Sequence, residues 1–191
     1  MEHQQRIQES ETLIRTGDFA EAIRTLTDIL TEEPDNLPAL LTIGVAFTEG
    51  GLNREAIRAL KFYISRDNEN DLAWEALGCA YLRLDLNAEA QHALETAREL
   101  NPANAAVLRN LSILMNRIDR PREAYKLLEE SHQLDETDVL TSYAMACAYR
   151  QTGKPEAALK LFDRLRRIEM IPSSLREDSA IQYIELTLGW S

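Results

Sequence analysis

The chain has 191 residues, 45% of them hydrophobic, with only 7 Gly and 6 Pro. It is long and apolar enough to bury a substantial core and unlike a disordered chain. A formal net charge of −11 argues against general nucleic-acid binding, because neutralising phosphates supplies most of that affinity. No apolar run approaches the roughly 18 residues of a membrane-spanning helix, and the start, Met1 to Ser10, is polar, so neither a membrane span nor an export signal is expected.

In chain order, two amphipathic stretches of about a dozen residues fill each of five successive windows, 3–36, 37–70, 71–104, 105–138 and 139–172. Each pair is split by a turn: Gly17-Asp18, Gly50-Gly51, Asp85-Leu86-Asn87, Asp119-Arg120-Pro121 and Gly153-Lys154-Pro155. In the first window Asp18 and Glu21 have capping-box spacing, and Pro34 stops the second helix as Pro102 does in the third. Pro121 and Pro155 suit first helical turns, where a missing N–H costs nothing. Beyond Ile171-Pro172, Ser174 and Glu177 open a last helix predicted over 174–189. No stretch alternates as a strand would, so the chain is predicted to be all-α and, over 1–191, a single domain.

The windows are copies of one unit. Gly44 steps to Gly78 at a separation of 34, and the same step carries Phe47 to Tyr81, Met115 and Tyr149. Ala22, Ala56, Ala90, Ala124 and Ala158 form a second series in phase with the first. Small residues in a contact ridge let paired helices approach to about 8–10 Å. Trp74, Leu77, Gly78 and Tyr81, followed by Ala90, Leu94, Ala97 and Pro102, make the third window resemble the tetratricopeptide repeat consensus. The resemblance covers residues 3–170 as five repeats. Departures are Ser10 and Ser112 for the usual glycine, Ser131 for the second alanine, and no closing proline near Met170.

That resemblance implies a right-handed superhelical solenoid, closed by the last helix as a cap, with the first helix of each repeat lining a concave groove. If Trp74, Leu77, Gly78 and Tyr81 pack inside, helical spacing turns Leu72, Glu75, Cys79, Leu82 and Arg83 toward that groove. The same offset selects Ile7, Glu11, Ile14 and Arg15, then Leu41, Val45, Thr48 and Glu49. Further on it selects Arg109, Ile113, Asn116 and Arg117, then Leu140, Tyr143, Cys147 and Arg150. The floor is apolar and its far half bears arginine, a pattern that suits a protein or peptide with apolar anchors and acidic residues. Tyr143 is the expected anchor contact, since large amphipathic side chains dominate binding hot spots. The structural alternative pairs these arginines with acids of the chain and buries the aliphatic residues through tighter curvature. Family members that clamp the C-terminal carboxylates of heat-shock chaperones use basic residues and asparagine at set positions. Ile7 and Glu11, Leu41 and Val45, and Glu75 and Cys79 stand there instead.

On the last helix Ile181, Ile184 and Leu188 fall on one side, and Leu175, Tyr183, Leu186 and Trp190 on the other. One face is surplus. The second set is expected to contact a partner or a second copy as a homodimer, or else to fold back on the groove.

No catalytic or metal-binding constellation stands out. His3, His92 and His132 are scattered, and there is no phosphate loop or nucleophile elbow. Cys79 and Cys147 occupy equivalent positions two repeats apart, beyond disulfide reach, and suit a reducing compartment. The expectation is therefore a cytoplasmic, bacterial, non-enzymatic scaffold or adaptor without cofactor or metal that holds a partner segment in its groove. The alternatives are self-assembly through the last helix, or a chaperone resembling those of bacterial type III secretion.

Overall fold

The structure, a computed structural model, describes residues 2–168 and 173–188. Among the described residues there are eleven α-helices and no strand. The first of each pair are α1 (Glu2–Thr16), α3 (Leu37–Glu49), α5 (Asp71–Arg83), α7 (Ala105–Arg117) and α9 (Val139–Gln151). The second are α2 (Phe19–Glu32), α4 (Asn53–Ile64), α6 (Asn87–Leu100), α8 (Pro121–Leu134) and α10 (Pro155–Leu165), and α11 (Ser173–Leu188) follows alone. The chain forms two compact units, Met1–Ala103 with three helix pairs and Asn104–Ser191 with two pairs and α11.

The turn inside every pair is built the same way. Gly17, Gly51, Asp85, Asp119 and Gly153, each 34 residues after the last, all have φ between 57° and 88°. This left-handed residue lets the next N–H turn back to the carbonyl five residues earlier. The bonds from Asp18 to Leu13, Leu52 to Phe47, Leu86 to Tyr81, Arg120 to Met115 and Lys154 to Tyr149 measure 2.8–3.0 Å. A second bond from each left-handed residue, at 3.1–3.3 Å, completes a Schellman motif. The loop between pairs repeats too. Asn36, Asn70, Asn104 and Asp138 cap α3, α5, α7 and α9 through side-chain oxygens that accept backbone N–H groups of the first turn.

Packing follows the two series read from the sequence. Ala22, Ala56, Ala90, Ala124 and Ala158 are all buried, as are Leu26, Leu60, Leu94, Leu128 and Phe162 four residues on. The glycines sit where these large residues press. A Cβ on Gly44 would lie 2.5 Å from Leu60 Cδ2, and one on Gly78 would lie 2.6 Å from Leu94 Cγ. In the first unit, Ile7, Leu26, Ile29, Ala39, Ile43 and Ala46 make one apolar cluster, and Leu40, Tyr63 and Ala73 another. In the second, Ala146, Ala158 and Phe162 form a cluster on which Tyr183 and Leu186 of α11 rest.

The last helix differs from its sequence reading. Tyr183 and Leu186 pack inward, whereas Ile181, Ile184 and Leu188 are about half exposed. The outward face is thus the one opposite to that assigned from the sequence. Docking decides it, because Tyr183 both covers the Phe162 cluster and takes the Arg166 guanidinium 4.4 Å from its ring centroid. Leu175 is half-buried, and Trp190, the fourth residue of the expected contact, lies outside the described residues.

Candidate functional site

In the first unit α1, α3 and α5 lie side by side, α1 against α3 and α3 against α5. Their shared outer face holds a depression of about 310 Å³ lined by Glu11, Ile14, Leu41, Thr42, Val45, Leu72 and Glu75. Six of those seven fall on the face that helical spacing had turned toward the groove. Leu72 is 52% exposed at the C-terminal edge, while Leu41 and Val45 are half-buried in the floor. The floor is apolar and both ends of the site carry a carboxylate.

Three residues expected in the groove are instead core. Leu82 is 5% exposed, and Ile7 and Thr48 are likewise buried. Thr48 donates its hydroxyl to the Gly44 carbonyl at 2.9 Å and sits one repeat before Leu82. At these two places the helix faces its neighbours, whereas Ile14, one repeat before Thr48, lines the depression, and Asn116 and Arg150, one and two repeats after Leu82, are exposed. Burial at this repeat position is thus confined to α3 and α5.

The arginines also have intramolecular partners. Arg83 of α5 reaches Glu49 of α3 at 3.4 Å, both exposed, a pairing that contributes little. Arg109 of α7 pairs with Asp138, and here only 18% and 17% of the two side chains remain accessible. Asp138 meanwhile caps α9 and accepts the Thr141 hydroxyl at 2.6 Å, so Arg109 belongs to a structural knot rather than to an open face. Arg150 of α9 reaches Gln182 and Glu185 of α11. Arg117 is exposed.

Tyr143, the expected anchor, is engaged within the second unit. Its hydroxyl donates to Asp178 of α11, and its ring meets Phe162 edge-on at 6.1 Å. Burial first, and then the adjoining Asp178 carboxylate, push its hydroxyl well above the ordinary tyrosine range. Ile113 and Leu140 are exposed. Ile181 and Ile184 on α11 are exposed as well, and one 34-residue step maps them onto Cys147 and Arg150. The same step maps Ala180 onto Ala146 and Tyr183 onto Tyr149. In sequence register α11 is the first helix of a sixth repeat, a signal present in the sequence but not carried past residue 172.

Models of the tetratricopeptide repeat match residues 13–78, 75–130 and 141–175, which together span most of the chain. The chain belongs to the tetratricopeptide repeat family. Its fold is similar to that of TTC0263, a thermophilic tetratricopeptide repeat protein of Thermus thermophilus. That match has a TM-score of 0.83 and 19% identity, over 95% of this chain and 99% of the other. PilF of Pseudomonas aeruginosa matches with a TM-score of 0.74 and 18% identity over 98% and 91% of the two chains. A chain of the Cut9-Hcn1 hetero-tetramer of the APC/C matches with a TM-score of 0.82 and 16% identity, over 96% of this chain and 36% of that one. At such identities the likeness is one of fold. No curated protein matches the sequence.

Tetratricopeptide repeats in general form non-catalytic scaffolds for protein–protein interaction, and the chemistry of this member's thiols is consistent with that. Burial, then the Glu75 carboxylate, push the Cys79 thiol well up, and burial raises Cys147. Both are held in the poorly nucleophilic thiol form at neutral pH. Among the described residues no group of three or more His, Cys, Asp or Glu could hold a metal ion, and no helix is long and apolar enough to cross a membrane.

Proposed function

We propose that this tetratricopeptide repeat protein is a scaffold or adaptor that holds a segment of a partner protein against the first helices of its repeats. The observation that carries this reading is the depression on α1, α3 and α5. A leucine-sized anchor seated there gains about 1.5–3 kcal/mol, against roughly 8 kcal/mol for micromolar binding. The partner must therefore supply several contacts, and an extended or helical segment laid across the three helices does so. The raised cysteine thiols and the general role of the family support a non-enzymatic protein. The two free cysteines suit a reducing, cytoplasmic setting. A bacterial origin and a chaperone-like role on apolar segments of a client belong to the same reading.

The test is a pull-down from a native extract with wild type beside a Leu41→Ala, Leu72→Ala variant whose helicity is checked by circular dichroism. A protein retained by wild type and lost by the folded variant supports the groove. Equal recovery on both baits counts against it. A second reading, self-assembly, draws on the exposed stripe Ile181, Ile184 and Leu188 of α11. Light scattering decides that case, since an oligomer that becomes a monomer on Ile181→Ser, Ile184→Ser substitution uses this face.

A further inference from the structure

The charge of the chain is concentrated in one unit. Met1–Ala103 carries 19 acidic against 9 basic residues, whereas Asn104–Ser191 carries 13 against 12. The face with the depression shares this bias. Glu11 and Glu75 flank the apolar floor of Leu41, Val45 and Leu72, and α3, which runs through the middle, has Glu49 as its one charged residue. Arg83 of α5 offsets Glu49 at 3.4 Å, and Arg15 of α1, which donates to the neutral Thr12 hydroxyl at 3.2 Å, is one charge against the two of Glu11 and Glu75, so these groups together keep a net negative charge. An acidic segment laid here would meet carboxylates on both sides within an acidic unit, and like charges so juxtaposed oppose binding.

We infer that the depression between α1, α3 and α5 takes a cationic amphipathic peptide segment, with an aliphatic side chain on the Leu41, Val45 and Leu72 floor and lysine or arginine flanking it toward Glu11 and Glu75. This rests on the reading that the face holds a peptide, and it reverses the sign of charge that the arginines of the sequence suggested for the partner. The apolar contact fixes position and the acidic surround accelerates encounter, so binding weakens as salt rises.

Fluorescence anisotropy with the full chain tests it, using three labelled synthetic peptides of equal length. One has leucines flanked by lysines, the second has glutamate for every lysine, and the third keeps the lysines with asparagine for every leucine. Wild type is expected to bind the leucine–lysine peptide at least about tenfold more tightly than either of the others. Glu11→Lys weakens that binding at least about fivefold, Glu11→Gln weakens it less, and Leu72→Asn weakens it without changing its salt dependence. Each variant is first shown to keep wild-type helicity. Equal or tighter binding of the leucine–glutamate peptide, still lost in Leu72→Asn, overturns the charge assignment and leaves the groove reading standing. Leucine–lysine binding untouched by Glu11→Lys and Leu72→Asn, or no binding of any probe, overturns both.

Discussion

Asp119 holds a φ of 59°, in the place where Gly17, Gly51 and Gly153 have 88°, 78° and 72°. Aspartate tolerates this region better than most residues with a Cβ, because its short polar side chain bonds locally. Nothing lies within 4 Å of a Cβ built on Gly51, so Gly51→Ala meets no clash and its cost is purely conformational. It is expected to lose about 1 kcal/mol in a urea melt. Asp119→Gly exchanges relief of that backbone for a more flexible unfolded chain, and should stay within about 0.5 kcal/mol of wild type. The arginines separate in the same way. Arg109→Ala leaves the mostly buried Asp138 without its ion pair and is expected to cost about 1–2 kcal/mol. Arg83→Ala removes an exposed pairing with Glu49 and should cost under about 1 kcal/mol by the same measurement.

The pairs α3–α4 and α5–α6 each approach most closely at a glycine, Gly44 and Gly78. A Cβ at residue 78 would stand 2.6 Å from Leu94 Cγ and 2.7 Å from Leu94 Cδ2, and Leu94 has no accessible surface into which to retreat. Gly78→Ala gains about 1 kcal/mol of helix propensity but crowds a packed core at a cost of about 1–3 kcal/mol. A net loss of about 1 kcal/mol in thermal or urea unfolding is therefore expected. The corresponding positions of α7 and α9 hold Ser112 and Ala146, both buried, so those pairs already accommodate a Cβ. This close approach was legible in the sequence, because it depends on a residue type recurring at a fixed step. The outward face of α11 was not. Both its faces are apolar, and only the fit of Tyr183 and Leu186 onto Phe162 selects the inner one.

At the scale of the whole chain, the excess of acids in Met1–Ala103 makes that unit repel itself. Raising sodium chloride from about 10 mM to about 150 mM shortens the screening length from about 30 Å to about 8 Å. The thermal midpoint should rise over that interval. A midpoint that falls would mean that ion pairs such as Arg66 to Asp35, at 3.2 Å, outweigh the repulsion.

The sequence by itself determined the repeat, its phase, its turns and the identity of the family. These features are local or periodic: a left-handed residue every 34 positions, small residues opposite large ones, and prolines at helix starts and stops. Periodicity also placed Leu41, Val45, Leu72 and Glu75 on one face, where the depression lies. Tertiary structure alone decided which long side chains were already engaged. Arg109 finds Asp138, Tyr143 finds Asp178 and Arg150 finds Glu185, each 29 to 35 residues away. A helical repeat sets the direction in which a Cβ points, but the reach of an arginine or tyrosine extends to the next helix, and whether a carboxylate waits there depends on how the two helices pack.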